Sequence, residues 1–227
     1  MKPYRENHLQ PAAQYLKETE PAVKNLFEKL EEYDTIRKKI RLPVCIAPYT
    51  SEEASETTFE KWQRKNRADS KRASERLRKY FGYQFSINTL NGSILQIAYM
   101  GIRLYSKNEA VPPEFSTIIR AGSNVARFCV GRRVREVPIG LIIYAARNQY
   151  NHWDEEHLRD PVNEWVFNIL STKHGIKDAE EIKEPAFDLN NKMIQIYSSN
   201  VVFVLGWDSY DAYLADMKSL LISSERM

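Results

Sequence analysis

Residues 137–156, VPIGLIIYAARNQYNHWDEE, constrain this chain more than any other stretch. The segment opens as an apolar run and turns polar at Arg147. Ile139, Ile143, Ala146, Tyr150 and Trp153 recur at steps of three and four, the spacing of one buried stripe on an amphipathic helix. At about 100° per residue, Tyr144, Arg147, Asn148, Asn151 and His152 fall on a different arc. One helix is therefore expected to pack on one side and to present an Arg, two Asn, a Tyr and a His on the other.

The remaining periodicities are also helical. Residues 1–20 hold Pro3 and Pro11, with Pro21 just beyond, and no sustained pattern, so they read as a partly irregular arm. Residues 20–41 carry Val23, Leu26, Phe27, Leu30 and Tyr33 at helical steps, with Pro21 expected in the first turn. Val44, Cys45 and Ile46 fit either one short strand or an extended linker between Pro43 and Pro48. Thr50 or Ser51 caps the next predicted helix, which stops at Gly82. Between positions 61 and 79 it carries nine Lys and Arg against Asp69 and Glu75, a local net charge of +7. That run suits either contact with a phosphate backbone or a solvated face beside the acidic residues 52–60.

Residues 84–106 are apolar nearly all round and predict a central bundle helix, with Gly92 and Gly101 permitting close helix approach. Residues 115–130 predict a further apolar helix, ended by Gly131 and carrying Arg120 and Arg127 on one face. A short basic hinge follows, in which Arg132 and Arg133 are candidates for substrate contact, and Pro138 starts the motif helix. Asp160 and Pro161 predict a helix N-cap and first turn, with a stripe at Val162, Trp165, Val166, Ile169 and Leu170. Residues 188–205 predict an apolar helix capped by Asp188 or Asn190, and residues 208–225 a final one. The fold expectation is all-α: residues 1–82 as an N-terminal helical extension and 83–227 as a helical bundle, with one continuous domain as the alternative.

Composition narrows the function classes. The net charge of +3 does not by itself mark a nucleic-acid binder. Cys45 and Cys129 are far apart and read as reduced thiols, which with the absence of an apolar leader suggests the cytoplasm. No run nears the roughly 18 apolar residues of a membrane span, and no Cys/His spacing suggests a metal cage.

Arg147, Asn148 and His152, as Arg-Asn-x-x-x-His on a bundle helix with a long apolar lead-in, resemble the HEPN superfamily, many of whose members are metal-independent ribonucleases. The resemblance is clearest over residues 84–220. It implies an up-and-down helical bundle with extra N-terminal helices, and an endoribonuclease of the toxin or phage-defence class that needs no cofactor. It also implies a homodimer in which two motifs meet around one RNA strand, and an antitoxin or regulatory protein as partner. His152 is then the acid or base, with an ordinary pKa of about 6.5. Arg147 is the cation for the extra phosphate charge, and Asn148 orients the pair or the phosphate. Tyr144 and Asn151 line the cleft. Asp154 stands where some relatives carry a Tyr modified by an antitoxin, so that regulation is not implied. His8 and His174 read as surface residues, and the spacing of His157 from Arg147 lies outside the family pattern. Two other classes stay open. One is a non-catalytic RNA- or nucleotide-binding module. The other is a structural helical interaction protein, in which Arg147 and His152 belong to a polar network with residues 154–156.

Overall fold

The computed structural model describes residues 11–41, 43–45, 52–155, 160–175 and 183–222. Seven α-helices and one two-stranded hairpin lie among them: α1 (Ala12–Lys38), α2 (Glu52–Gly82), α3 (Gln84–Tyr105), β1 (Arg133–Val134), β2 (Val137–Pro138), α4 (Ile139–Asn151), α5 (Pro161–Thr172), α6 (Ser198–Val204) and α7 (Tyr210–Leu221). The fold is all-α, as the periodicity predicts. No described helix is long and apolar enough to cross a membrane. The cap at Thr50 or Ser51, and Ile46, His8 and His157, lie outside the described residues.

The chain divides into two units, one of Met1–Phe27 with Asn88–Met227 and the other of Glu28–Ile87. The predicted boundary at residue 82 therefore misses the first half of α1, which groups with the C-terminal helices. Its side chains explain why: Ala12, Leu16, Val23 and Phe27 are buried, and the Tyr15 hydroxyl donates to the Ile97 carbonyl at 2.6 Å. Pro21 accordingly lies inside the helix and not in its first turn. Pro21 is exposed, and burial of the stripe around it outweighs the missing backbone donor.

In the larger unit α4 is the hub, packing most extensively on α5 and next on α6. Gly92 lets α3 approach it, since a Cβ there would lie 2.6 Å from the Tyr150 ring. At α5 the Asp160 side chain accepts from the Val162 amide at 3.0 Å with Pro161 in the first turn, as the sequence predicts. Ser209 caps α7 in the same way.

Two predicted helices are not formed. Residues 115–130 fold as turns and two short 3-10 segments. Gly122 sits at φ +70°, and hydroxyls of Ser116 and Ser123 bond the local backbone. Asn108 donates to the Ala126 carbonyl at 2.7 Å and Ser106 to that of Arg127 at 2.7 Å, and the Cys129 amide closes a short turn onto Ala126 at 2.9 Å. Arg120 and Arg127 consequently share no helix face. Residues 188–197 are likewise irregular: the Asp188 and Asn191 side chains accept from the amides of Asn190 and Met193. Only the last part of that stretch, α6, is helical.

Gln149 holds this irregular segment. It is 5% exposed on α4; its Nε2 donates to the Gln195 carbonyl at 2.7 Å and its Oε1 accepts from the Tyr197 amide at 3.1 Å. Gln149→Leu keeps the volume but strands both backbone groups. The expected loss is about 2 kcal/mol of stability, read by urea denaturation.

The described part of the proposed Val44 strand is coil. The hairpin lies instead at the basic hinge, with Arg133 opposite Pro138 and Val134 opposite Val137. Arg135 (φ 48°) and Glu136 (φ 71°) are both left-handed, the geometry of a tight hairpin turn. The strain is offset by anchoring: Arg135 bonds the Leu170 carbonyl at the end of α5 and the Glu184 carboxylate, and lies 4.9 Å from the Phe187 ring centroid.

Candidate functional site

The motif helix ends one residue before its histidine. α4 stops at Asn151, and His152 is its C-cap at φ −123°, ψ 31°. Two forces stop it there. Beyond residue 150 the side chains reach solvent, with Asn151, His152, Trp153 and Asp154 all exposed. Asp154, Glu155 and Glu156 would also lie at the negative end of the helix dipole. Trp153 is 44% exposed and is not part of the core stripe the spacing assigns it to.

The predicted residues fall into two groups. Tyr144, Arg147 and Asn148 form a half-buried network between α3, α4 and α5. The Arg147 guanidinium donates from Nε to Gln96 Oε1 at 2.9 Å and from Nη1 to Asn148 Oδ1 at 3.2 Å. Its carbon lies 4.7 Å from the Tyr99 ring centroid, a cation–π contact on a ring that also stacks on Phe128. Asn148 Nδ2 reaches the buried Asn163 Oδ1 at 3.4 Å. Tyr144 donates its hydroxyl to Asp160 Oδ2, the other oxygen of the carboxylate that caps α5. Burial first, and then the bond and charge of Asp160, raise the Tyr144 phenol above its ordinary value. It is a fixed donor at neutral pH.

His152 stands apart at the exposed tip. Its ring is about half exposed, and Nδ1 lies 2.7 Å from Glu155 Oε1. This pairing with the acidic turn is one of the alternatives the sequence leaves open. Its backbone amide still closes a turn onto the Asn148 carbonyl at 3.1 Å. Asn151 is exposed beside it.

Arg132 and Arg133 are engaged within the fold and are not grouped with Arg147. Arg132 grips Asp216 of α7 with Nε at 2.9 Å and Nη2 at 2.8 Å, and also donates to the Leu205 carbonyl. Asp216 Oδ2 accepts from the buried Trp207 indole at 2.8 Å as well. Arg133 pairs with Glu114 and donates to the Glu136 carbonyl at 3.0 Å. Both arginines secure the hairpin and what surrounds it, and each side chain is about half exposed. The adjacent pair Arg132-Arg133 hid this anchoring, because its partners lie 19 and 84 residues away.

Gln96, Tyr99, Asp160 and Asn163 complete the motif network, and sequence reasoning missed them. Gln96 carried a faint signal: it is a rare polar side chain in the apolar run ILQIAY. As alternatives to the histidine, the two cysteines offer little. Burial, and behind it the Glu114 charge, push the Cys129 thiol up to about 11, so it stays protonated at neutral pH. Among the described residues, no three of His, Cys, Asp and Glu stand together where they could hold a metal ion. Compared with known protein families, with curated proteins and with solved structures, the chain matches none.

Proposed function

We propose that this chain is a metal-independent endoribonuclease of the HEPN type, in which two copies bring the tips of their α4 helices to one RNA strand. The observation that supports it most is the setting of His152. A carboxylate on Nδ1 orients the ring at the exposed end of α4. Among the described residues Nε2 has no hydrogen-bond partner, and the ring is open to solvent and to a second copy.

The chemistry balances with these groups. Nε2 of His152 takes the proton of an RNA 2′-hydroxyl, the 2′-oxygen bonds to the adjacent phosphorus, and the bond to the 5′-oxygen breaks. The partner copy's imidazolium returns a proton to that oxygen. The products are a 2′,3′-cyclic phosphate and a 5′-hydroxyl. Arg147, whose guanidinium is always charged, is held one turn before the histidine and offsets the charge of the five-coordinate phosphorus. Asn148 positions the guanidinium through the 3.2 Å contact. Such an activity suits a cytoplasmic toxin or a phage-defence nuclease restrained by an antitoxin or regulatory protein.

One observation favours a second reading. Arg147 is bound by Gln96, Asn148 and Tyr99, as an arginine that pins three helices would be. On that reading the chain is a non-catalytic RNA- or nucleotide-binding module of the same type, or a structural helical interaction protein.

Incubation of the purified protein with total RNA and a chelator separates the readings. The expected result is fragments that carry cyclic phosphate ends. RNA left intact across protein concentrations that include the dimer overturns the ribonuclease reading and leaves the second.

A further inference from the structure

The smaller unit contains a surface that the motif does not use. α2 is 31 residues long, and its inward stripe is Trp62, Asn66, Ser70, Ala73, Leu77 and Tyr80, all buried or half-buried. At about 100° per residue these six fall within about 80° of arc. All nine Lys and Arg between 61 and 79 are exposed, and all but Arg76, which stands just past its edge, lie on the opposite half of the helix. They form two rows. Arg64, Arg67, Lys71 and Arg78 make one; Lys61, Lys65, Arg72, Arg76 and Lys79 make the other. Ala68 and Glu75 lie in the valley between them. The rows run for about 27 Å at 1.5 Å per residue.

Little neutralises this charge. Arg64 pairs with Glu60 at 3.4 Å and Arg72 with Asp69 at 2.5 Å, both at the surface. Arg76 donates to the Lys39 carbonyl at 3.0 Å. Lys61, Lys65, Arg67, Lys71 and Arg78 have no ion pair among the described residues. Nine like charges on half a helix repel each other and remain only where solvent, or a polyanion, screens them.

We propose that this half of α2 binds the phosphodiester backbone of a nucleic acid strand without regard to sequence. The charge pattern decides between polyanions. A membrane-surface helix needs an apolar face beside its cations to bury in lipid, and here the large apolar side chains, the exposed Phe59 and Phe81 included, lie on the side of the inward stripe and away from the two rows. An acidic protein partner needs an aromatic or aliphatic anchor amid the charges, and the cationic half carries only Ala68. A strand with a charge at every step meets a cation at nearly every turn on each row. The inference stands whether or not His152 cleaves RNA.

The test uses a fluorescent 20-nucleotide 2′-O-methyl oligouridylate, which cannot be cleaved by 2′-hydroxyl attack. A five-site variant changes Lys61, Lys65, Arg67, Lys71 and Arg78 to Gln. A charge-matched variant changes Lys17, Lys107, Arg120, Lys192 and Lys218, exposed residues of the larger unit, to Gln. The α2 variant is expected to bind at least about tenfold more weakly, and its log–log salt slope to flatten by about 0.7 for each phosphate it no longer neutralises. The matched variant should keep wild-type affinity within about twofold, and unchanged circular dichroism shows that α2 is still helical. Equal weakening in both variants, unchanged binding by the α2 variant, or competition by polyglutamate as effective as by the oligonucleotide itself overturns the proposal.

Discussion

His152→Gln is expected to lower RNA cleavage by about 10²- to 10⁴-fold, the usual worth of one positioned acid or base, while leaving the fold intact. The two halves of the result come from one feature, the position of His152 beyond the last turn of α4. As an exposed C-cap it contributes one surface contact to Glu155 and no core volume, so unfolding in urea should shift by less than about 0.5 kcal/mol. Gln keeps a polar side chain of similar reach but cannot take up a proton near neutral pH. Arg147→Ala is a poorer probe, because it also removes the contacts to Gln96, Asn148 and Tyr99. A His152→Gln protein that cleaves at the wild-type rate would remove this residue from the mechanism. A variant that loses stability along with activity would instead identify the ring as a structural part of the turn.

Gly140→Ala is expected to cost about 3 kcal/mol. An Ala Cβ at Gly140 would lie 2.4 Å from the Phe128 carbonyl oxygen and 3.1 Å from its carbon. Backbone atoms cannot turn aside as the end of a side chain can. The Gly140 amide donates to the Val130 carbonyl at 3.1 Å in the same strip of chain, so moving the helix away also breaks that bond. Ala is the better helix former by about 1 kcal/mol, which the overpacking exceeds. Gly175→Ala is a contrast, since nothing lies within 4 Å of its added Cβ; its cost is set by the φ of +82° alone. Thermal and urea unfolding of both variants tests the difference. A Gly140→Ala protein as stable as the wild type would show that α4 can slide away from residues 128–130.

What the sequence foretold follows a physical division. α3, α5 and α7 were legible because their apolar residues keep helical spacing throughout, and at α5 the cap agrees with it, Asp160 standing before Pro161. Residues 115–130 misled because their apolar steps were genuine, but Gly122 turns the chain at φ +70° and Ser106 and Asn108 compete for the Arg127 and Ala126 carbonyls. That competition is set by tertiary placement and leaves no local mark. The same holds for residues 188–197, which are shaped by Gln149 some 46 residues earlier. At the site, the residue types near the end of α4 were visible and their partners were not. A spacing of five residues cannot reveal that Arg147 faces Gln96 and Tyr99, or that the helix stops at Asn151. It also cannot reveal that Arg132 is held by Asp216, since a basic run looks equally available wherever it lies.

The packing of α4 on α5 has a consequence for how the chain folds. These two helices share the most extensive packing in the fold and are separated by only nine residues. Closing a loop that short costs little chain entropy, and the cost grows only slowly with length. Asp160 then links the helices twice over, capping one and receiving the Tyr144 hydroxyl of the other. By contrast, α3 takes partners from far along the chain, among them Ser198, bonded to the Asn88 carbonyl 110 residues away. The α4–α5 hairpin is thus a helix pair of low contact order, and a natural nucleus on which the distant elements condense.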